Sequence, residues 1–277
     1  MSMESDKIRP GMIDEDRLDR SRRIQWLDIE RIRGARCLVV GAGALGNEVV
    51  KDLVLSGVSN ITLVDMDHVV GSNLNRCVFF RDGDARDKLK KADIVSSRAN
   101  ELNPEVRIEA HTSKIEEWSW ERFRDFDLVF GCLDNIAARL HLNSNAYYAG
   151  TPFIDGGTDG FSGKVQVVIP PTTPCLQCAM NRSHYRILEK RHSCTGADVV
   201  YHENKIAAEI TTTSIVAAIQ VKEGLKILSR QKDKCISHVL YYNGLSDRYE
   251  SFELTIDPEC PNHGFDTLSS TTSLSKC

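Results

Sequence analysis

Followed by its apolar positions, the chain changes texture at Arg36. Residues 1–33 are polar and arginine-rich (Arg17, Arg20, Arg22, Arg23, Arg31, Arg33), with Leu18, Ile24, Leu27 and Ile32 at irregular helical spacing. That spacing predicts an amphipathic helix lying over another element. The apolar run Cys37-Leu38-Val39-Val40 then leads into Gly41-Ala42-Gly43-Ala44-Leu45-Gly46, helix-spaced Val49, Val50, Leu53 and Val54, and a second run, Ile61–Val64, that ends in Asp65. Strand, glycine turn, helix and strand within about 30 residues form a βαβ unit, whose parallel strands are buried on both faces. The alternation continues with a helix over 84–102, strands at 106–110 and 127–131, a helix over 135–149 and a strand at 152–155. It predicts a doubly wound, mostly parallel Rossmann-like α/β sheet.

Beyond Gly156 the pattern shifts. Lys164–Ile169 alternates as a strand, Pro170–Pro174 reads as a loop, and 179–205 is a polar, aperiodic crossover. A long helix over 206–229 carries Ile210, Val216, Ile219, Leu225 and Leu228 on one side. Strands at 238–243 and 248–256 close as an antiparallel extension around Asn243-Gly244. The expected organisation is an arginine-rich helical segment (1–33), one α/β domain (34–266) and a Ser/Thr-rich disordered tail (267–277).

Charge and composition narrow the class. Lys plus Arg is 35 against 39 Asp plus Glu, so no basic excess recommends a nucleic-acid partner. No apolar run reaches the length that spans a bilayer, and the charged Met1–Pro10 lacks a signal-peptide core, which predicts a cytoplasmic protein without a membrane partner. In that setting an odd count of nine cysteines points to metal or catalysis rather than a disulfide framework. Cys37 and Cys132, inside apolar runs, are expected to be buried.

The glycines at 41, 43 and 46, with Ala44 between, let backbone and helix N-terminus approach a phosphate, and Asp65 can hold ribose hydroxyls; NAD and ATP both remain open. Past Asp65 come Asp67 and the run Gly71-Ser72-Asn73-Leu74-Asn75-Arg76. Asn73 and Arg76, three apart, suit one helical face gripping a second group of phosphates. Cys175-Leu-Gln-Cys178 has zinc-knuckle spacing, and Cys260-Pro-Asn-His263 supplies a matching half for a structural Cys₃His zinc site; a redox pair at 175/178 is the rival.

The ordered set GAGALG (41–46), VDMDHVVGSNLNR (64–76), Lys91-Ala92 ahead of Asn103-Pro104, Cys132-Leu133-Asp134-Asn135, IDGGTDGFSGKVQVVIP (154–170) and Cys175–Cys178 resembles the ubiquitin-activating enzyme superfamily, including the ThiF/MoeB adenylyltransferases, over roughly 17–264. IDGGTDGFSG is closer to activators of ubiquitin-like proteins. The resemblance implies that ATP with Mg²⁺ adenylates the C-terminus of a Gly-Gly-ended ubiquitin-like protein and releases pyrophosphate. It places Arg76 and Lys91 on the phosphates (Lys88 and Lys90 being close rivals), Asn73 in support, Asp134 on magnesium and Asn135 beside it. It implies an N-terminal arginine, Arg20 or else Arg17 or Arg23, shared across a homodimer. The family usually carries a second CxxC where His263 stands. Cys194, in Arg191-His192-Ser193-Cys194-Thr195-Gly196, corresponds to a cysteine that takes the activated protein as a thioester on its way to a conjugating enzyme. Only 27 residues separate Cys178 from the helix expected at 206, which implies a minimal activator without a large cysteine domain. Alternatives are a sulfur-carrier adenylyltransferase leading to a thiocarboxylate, an NAD-dependent oxidoreductase, and a scaffold; intact Arg76, Lys91 and Asp134 weigh against the last.

Overall fold

In the computed structural model, which describes residues 16–179 and 207–263, the apolar runs become strands. β1 (Arg36–Val40), β2 (Asn60–Val64), β3 (Arg107–His111), β4 (Leu128–Gly131) and β5 (Phe153–Asp159) are parallel. β6 (Ser162–Val168), β7 (Val239–Asn243) and β8 (Arg248–Phe252) extend the same sheet antiparallel. The order β3-β2-β1-β4-β5-β6-β7-β8 reverses its direction of winding between β1 and β4, where Val40 sits opposite Val64 on one side and Gly131 on the other.

The helices are α1 (Asp19–Arg22), α2 (Ile29–Gly34), α3 (Ala44–Leu55), α4 (Asp82–Arg86), α5 (Lys91–Leu102), α6 (Ile136–Ala149) and α7 (Ile210–Leu228). α3, α5 and α7 bury Val49, Leu53, Val95, Val216 and Ile227 with Val39, Leu63 and Phe130 on one face of the sheet. α6 and the segment carrying Ile115, Trp118 and Phe123 cover Leu38, Val40 and Val129 on the other. Cys37 and Cys132 are buried in these layers as their apolar surroundings predict. Among the described residues, no helix is long and apolar enough to cross a membrane.

Four local departures have physical causes. Within the described part of the N-terminal segment, two short helices replace one amphipathic helix. Leu18 fills the space over Gly57, whereas Ile24 and Trp26 stay exposed. The helix expected over 84–102 is broken into α4 and α5 by Lys88, at φ +49, because the chain turns back to bond Val69 N–H to Leu89 O (2.8 Å) and Lys91 N–H to Asp67 O (3.0 Å). The long helix starts at Ile210, where Glu209 caps it by accepting from Thr212 N–H (3.0 Å), while Ala208 pairs with Gly160 in an extended bridge. β8 ends at Phe252, short of 256.

α7 lies close against β4. A Cβ on Gly224 would stand 2.6 Å from Phe130 Cζ and 2.9 Å from Leu128 Cδ2. Gly224→Ala should therefore destabilise the fold by about 1–3 kcal/mol through overpacking, outweighing the roughly 1 kcal/mol that alanine gains in a helix. The check is the urea unfolding midpoint at constant slope; an unmoved or raised midpoint would show that the α7–β4 contact relaxes freely.

Candidate functional site

The helices that follow β1 and β4 pack on opposite faces, so a crevice opens beyond the carboxyl ends of these two strands, the place where open α/β sheets take ligands. Gly41 turns the chain there at φ +99, and a Cβ would lie 2.4 Å from Cys132 O. At Gly46 a Cβ would lie 1.8 Å from Gly41 O. Gly43 differs: an added Cβ would meet nothing within 4 Å, and as N-cap of α3 it offers no side-chain cap to the first-turn N–H groups. The open space at Gly43 leaves room for a phosphate at this helix start. Asp65 follows β2 directly; its Oδ2 accepts Ala42 N–H (2.6 Å) and its Oδ1 accepts Asp67 N–H (2.8 Å). Burial raises its carboxyl above the ordinary range, against the pull of Lys91 and these two N–H groups.

The expected phosphate cations sit on one side of the turn. Lys91 opens α5, and its Nζ donates to Asp67 Oδ2 at 2.9 Å. Burial works against its charge, but Asp65 and Asp67 more than offset that and raise its pKa. Lys90 instead donates to Met66 O (2.7 Å), and Lys88 is exposed at the α4–α5 break. Asn73 is buried and its Oδ1 accepts Val70 N–H (3.2 Å), which shapes the turn carrying Arg76. Arg76 folds back on that turn, donating to Ser72 O and Asn75 Oδ1.

On the other side, Asp134 is exposed at the end of the β4 connection, and Asn135 rather than Asp134 caps α6, accepting from Ala138 N–H at 2.8 Å. Residues that sequence reasoning missed lie next to them. Arg139 pairs through Nε with Asp155 Oδ1 (3.0 Å) and through Nη2 with Asp155 Oδ2; Asp155 is fully buried. Asp155 raises the Arg139 pKa, whereas burial lowers that of Lys164 nearby. The IDGGTDG string now has a steric meaning. Gly156 leaves room for Gln220, whose Oε1 would be 2.3 Å from a Cβ, and Gly157 for the Arg139 guanidinium. The paired glycines were the available signal. Gln220 Nε2 in turn bonds Gly131 O (3.0 Å) and Ile154 O (3.1 Å), tying α7 to the strands beside the crevice. From Ile136 and Arg139 a cleft of about 620 Å³ runs across Lys164 to Tyr241 and Phe252.

Arg20 is not near this crevice. Its helix sits among the C-terminal ends of α3 and α5: Leu18 covers Gly57 and Arg17 donates to Leu102 O (3.2 Å). The twelve residues of α3, at 1.5 Å rise, put about 18 Å between the two ends. Cys194 lies outside the described residues. Of the other thiols, burial pushes Cys77 and Cys235 up to about 11 and Cys37 and Cys132 higher still.

The two Cys/His pairs do converge. The ligand atoms of Cys175, Cys178, Cys260 and His263 all lie within 4.8 Å of one another. The Cys175–Cys178 and Cys175–Cys260 Sγ separations are 3.9 and 3.6 Å, and Cys178 Sγ lies 3.5 Å from His263 Nδ1. Tetrahedral edges for Zn–S bonds of about 2.3 Å are about 3.7 Å, so the set fits zinc. His263 Nε2, 3.3 Å from Thr173 O, and Asn262 Nδ2, donating to Cys175 Sγ at 3.4 Å, orient two of the ligands. The protein should hold about one zinc per chain, and Cys178→Ser or His263→Ala should lose it with a large drop in Tm, since structural zinc contributes on the order of 10 kcal/mol. Metal analysis and melting of both variants check this; a zinc-free protein of unchanged Tm would contradict it.

Comparison with known proteins gives the family and agrees with the fold. The ThiF family model matches residues 17–262. The chain is 39% identical over 151 residues to SUMO-activating enzyme subunit 2 of Dictyostelium discoideum, covering 54% of this chain and 22% of that protein. It is 39% identical over 158 residues to the NEDD8-activating enzyme E1 catalytic subunit of Arabidopsis thaliana, covering 52% and 34%. The first relatives are thus much longer than the part this chain matches. A sulfur carrier protein adenylyltransferase of Thermus thermophilus aligns more fully, 32% identical over 238 residues, 84% of this chain and 83% of that protein. Among solved structures, E. coli MccB with ATP shares the fold at a TM-score of 0.72 and 18% identity, covering 92% of this chain and 76% of that one. The chain belongs to the ThiF family.

Proposed function

We propose that this chain adenylates the C-terminal carboxylate of a small protein of the ubiquitin-like class, in the cytoplasm, with ATP and Mg²⁺. One juxtaposition carries the reading: the uncapped glycine turn, Lys91 and Arg76 on one side, exposed Asp134 on the other, and a cleft lined by Ile136 and Arg139, shortly after Asp134 in the chain, that can take an extended chain end. A carboxylate oxygen attacks the α-phosphorus of ATP, the bond to the β-phosphoryl oxygen breaks, and pyrophosphate leaves. Attacking and attacked groups are both anionic, so the site must offset their repulsion. Lys91 can exchange exposed Asp67 for a phosphate oxygen, and Arg76 can unfold from its own turn toward the phosphates. Mg²⁺ would supply further positive charge, and Asp134 is the residue assigned here to hold it.

The second step assigned to this chain is transfer to Cys194: its thiolate attacks the acyl carbon, AMP leaves, and a thioester forms. Burial raises the pKa of the described thiols outside the zinc set, which disfavours them as nucleophiles, and the family resemblance of its Cys-Thr motif selects Cys194. Ala179, just before the segment carrying Cys194, lines the cleft, and beyond that segment Ala207 O accepts Gly160 N–H (2.8 Å). Arg20, far from its own crevice, suits the crevice of a second copy in a two-fold dimer. The near full-length match to the Thermus sulfur carrier adenylyltransferase favours a second reading, in which the adenylate becomes a thiocarboxylate and no thioester is needed.

Asp134→Ala should lower ATP–pyrophosphate exchange about 10²-fold or more while leaving Tm unchanged; undiminished exchange removes Asp134 from the site. Exchange should also recover partly when Arg20→Ala and Asp134→Ala chains are mixed, because each hybrid dimer keeps one complete site. Cys194→Ala should retain exchange but lose a thiol-sensitive adduct on a non-reducing gel, with Cys77→Ala and Cys235→Ala keeping it. Vigorous exchange without an adduct in any variant selects the sulfur-carrier reading.

A further inference from the structure

Two side chains outside the proposed phosphate contacts join the two halves of the crevice. Asn47, in α3, is fully buried. Its Nδ2 donates to Ala42 O and Gly43 O, both at 2.9 Å, and its Oδ1 accepts Phe79 N–H at 3.0 Å. Phe79 stands three residues past Arg76, and its own carbonyl accepts from Arg98 Nη1. Arg98 also donates from Nη2 to Asp84 Oδ1 (2.8 Å), while Asp84 Oδ2 accepts Arg81 N–H (2.7 Å). Both backbone polar groups of Phe79 are therefore taken by side chains. One comes from α3 under the glycine turn and the other from α5, the helix that Lys91 opens.

The chemistry of the junction is demanding. Two carbonyls and one N–H converge on position 47, and an asparagine amide supplies two donors and an acceptor in that arrangement. Gly43 O has a second partner in Asn47 N–H, but Asn47 is the side chain that satisfies Ala42 O and Phe79 N–H in the buried layer. At Asp84 the pair with Arg98 holds the carboxyl below its ordinary range, so that contact stays charged at neutral pH. Neither residue touches the crevice, yet together they set how far the phosphate turn stands from the segment bearing Arg76.

We propose that Asn47 and Arg98 are positioning residues for the nucleotide triphosphate, acting through Arg76. The inference rests on the nucleotide-binding reading above. The test is calorimetric binding of ATP with Mg²⁺ to the full-length protein. Asn47→Asp keeps the size but sets a carboxylate against two carbonyl oxygens. It should weaken ATP binding about tenfold, the scale of one buried hydrogen-bond partner lost, with zinc content unchanged. In an Arg76→Ala background the same substitution should cost less than about twofold, because residues acting as one unit are not additive. Arg98→Ala should behave like Asn47→Asp, and Arg98→Lys, which can reach one of the two partners, should recover part of the loss. Equal losses in both backgrounds, or no loss at all, would overturn the proposal while wild-type binding stands. If the wild type fails to bind ATP with Mg²⁺, the nucleotide reading falls and takes the proposal with it. Should Asn47→Asp not fold, Arg98→Ala measured in the same two backgrounds decides between these outcomes.

Discussion

Where β1 and β4 diverge, two stretches of backbone touch with no room for a side chain between them. Gly41 lies so close to Cys132 O that any Cβ would overlap it, and Gly46 stands as close to Gly41 O. This contact brings the connection after β1 beside the connection after β4, while α3 and α6 go to opposite faces. It is why a turn suited to phosphate and an exposed carboxylate, Asp134, share one crevice although more than 80 residues apart in the chain. A side chain at 41 would separate them and dismantle the crevice before it altered any contact with a ligand.

Three ion pairs around the crevice are not equivalent. Asp67 is largely open to solvent, with 56% of its side chain exposed, so its pair with Lys91 is worth roughly 0–1 kcal/mol and can be exchanged cheaply for a phosphate. Asp155 is fully buried, and breaking its pair with Arg139 would strand a charge at a cost of about 3–5 kcal/mol. Arg98–Asp84 lies between, buried on the acid side and partly open on the other. Of the three pairs, the one that is cheapest to exchange is thus that of Lys91, the residue proposed to meet the phosphates.

What is legible in the sequence follows from how local each signal is. The glycine turn, the alternation of strands and helices, and the two Cys/His halves are written in spacing, and all are present in the structure. The break at Lys88 is not readable from the chain, because its cause is pairing with Val69 and Asp67, some twenty residues upstream. The N-terminal segment departs from its pattern for a similar reason: Leu18 is buried by a glycine on another element, not by a continuous apolar stripe. Arg139 and Asn47 look like ordinary helix residues in the sequence. Their partners lie on other elements, and only the glycines that make room for Arg139 hint at one of them.

The segment between Ala179 and Ala207 is attached to scaffold at both ends, by the Cys/His cluster just before it and by the Gly160 bond at its far side. Neither anchor depends on what the segment contains. Doubling the length of a flexible connection between two fixed anchors adds only about 0.6 kcal/mol of closure cost. The folded body and the chain between these anchors can therefore diverge at different rates: the sequence between the anchors can be exchanged while the crevice between β1 and β4 is left untouched.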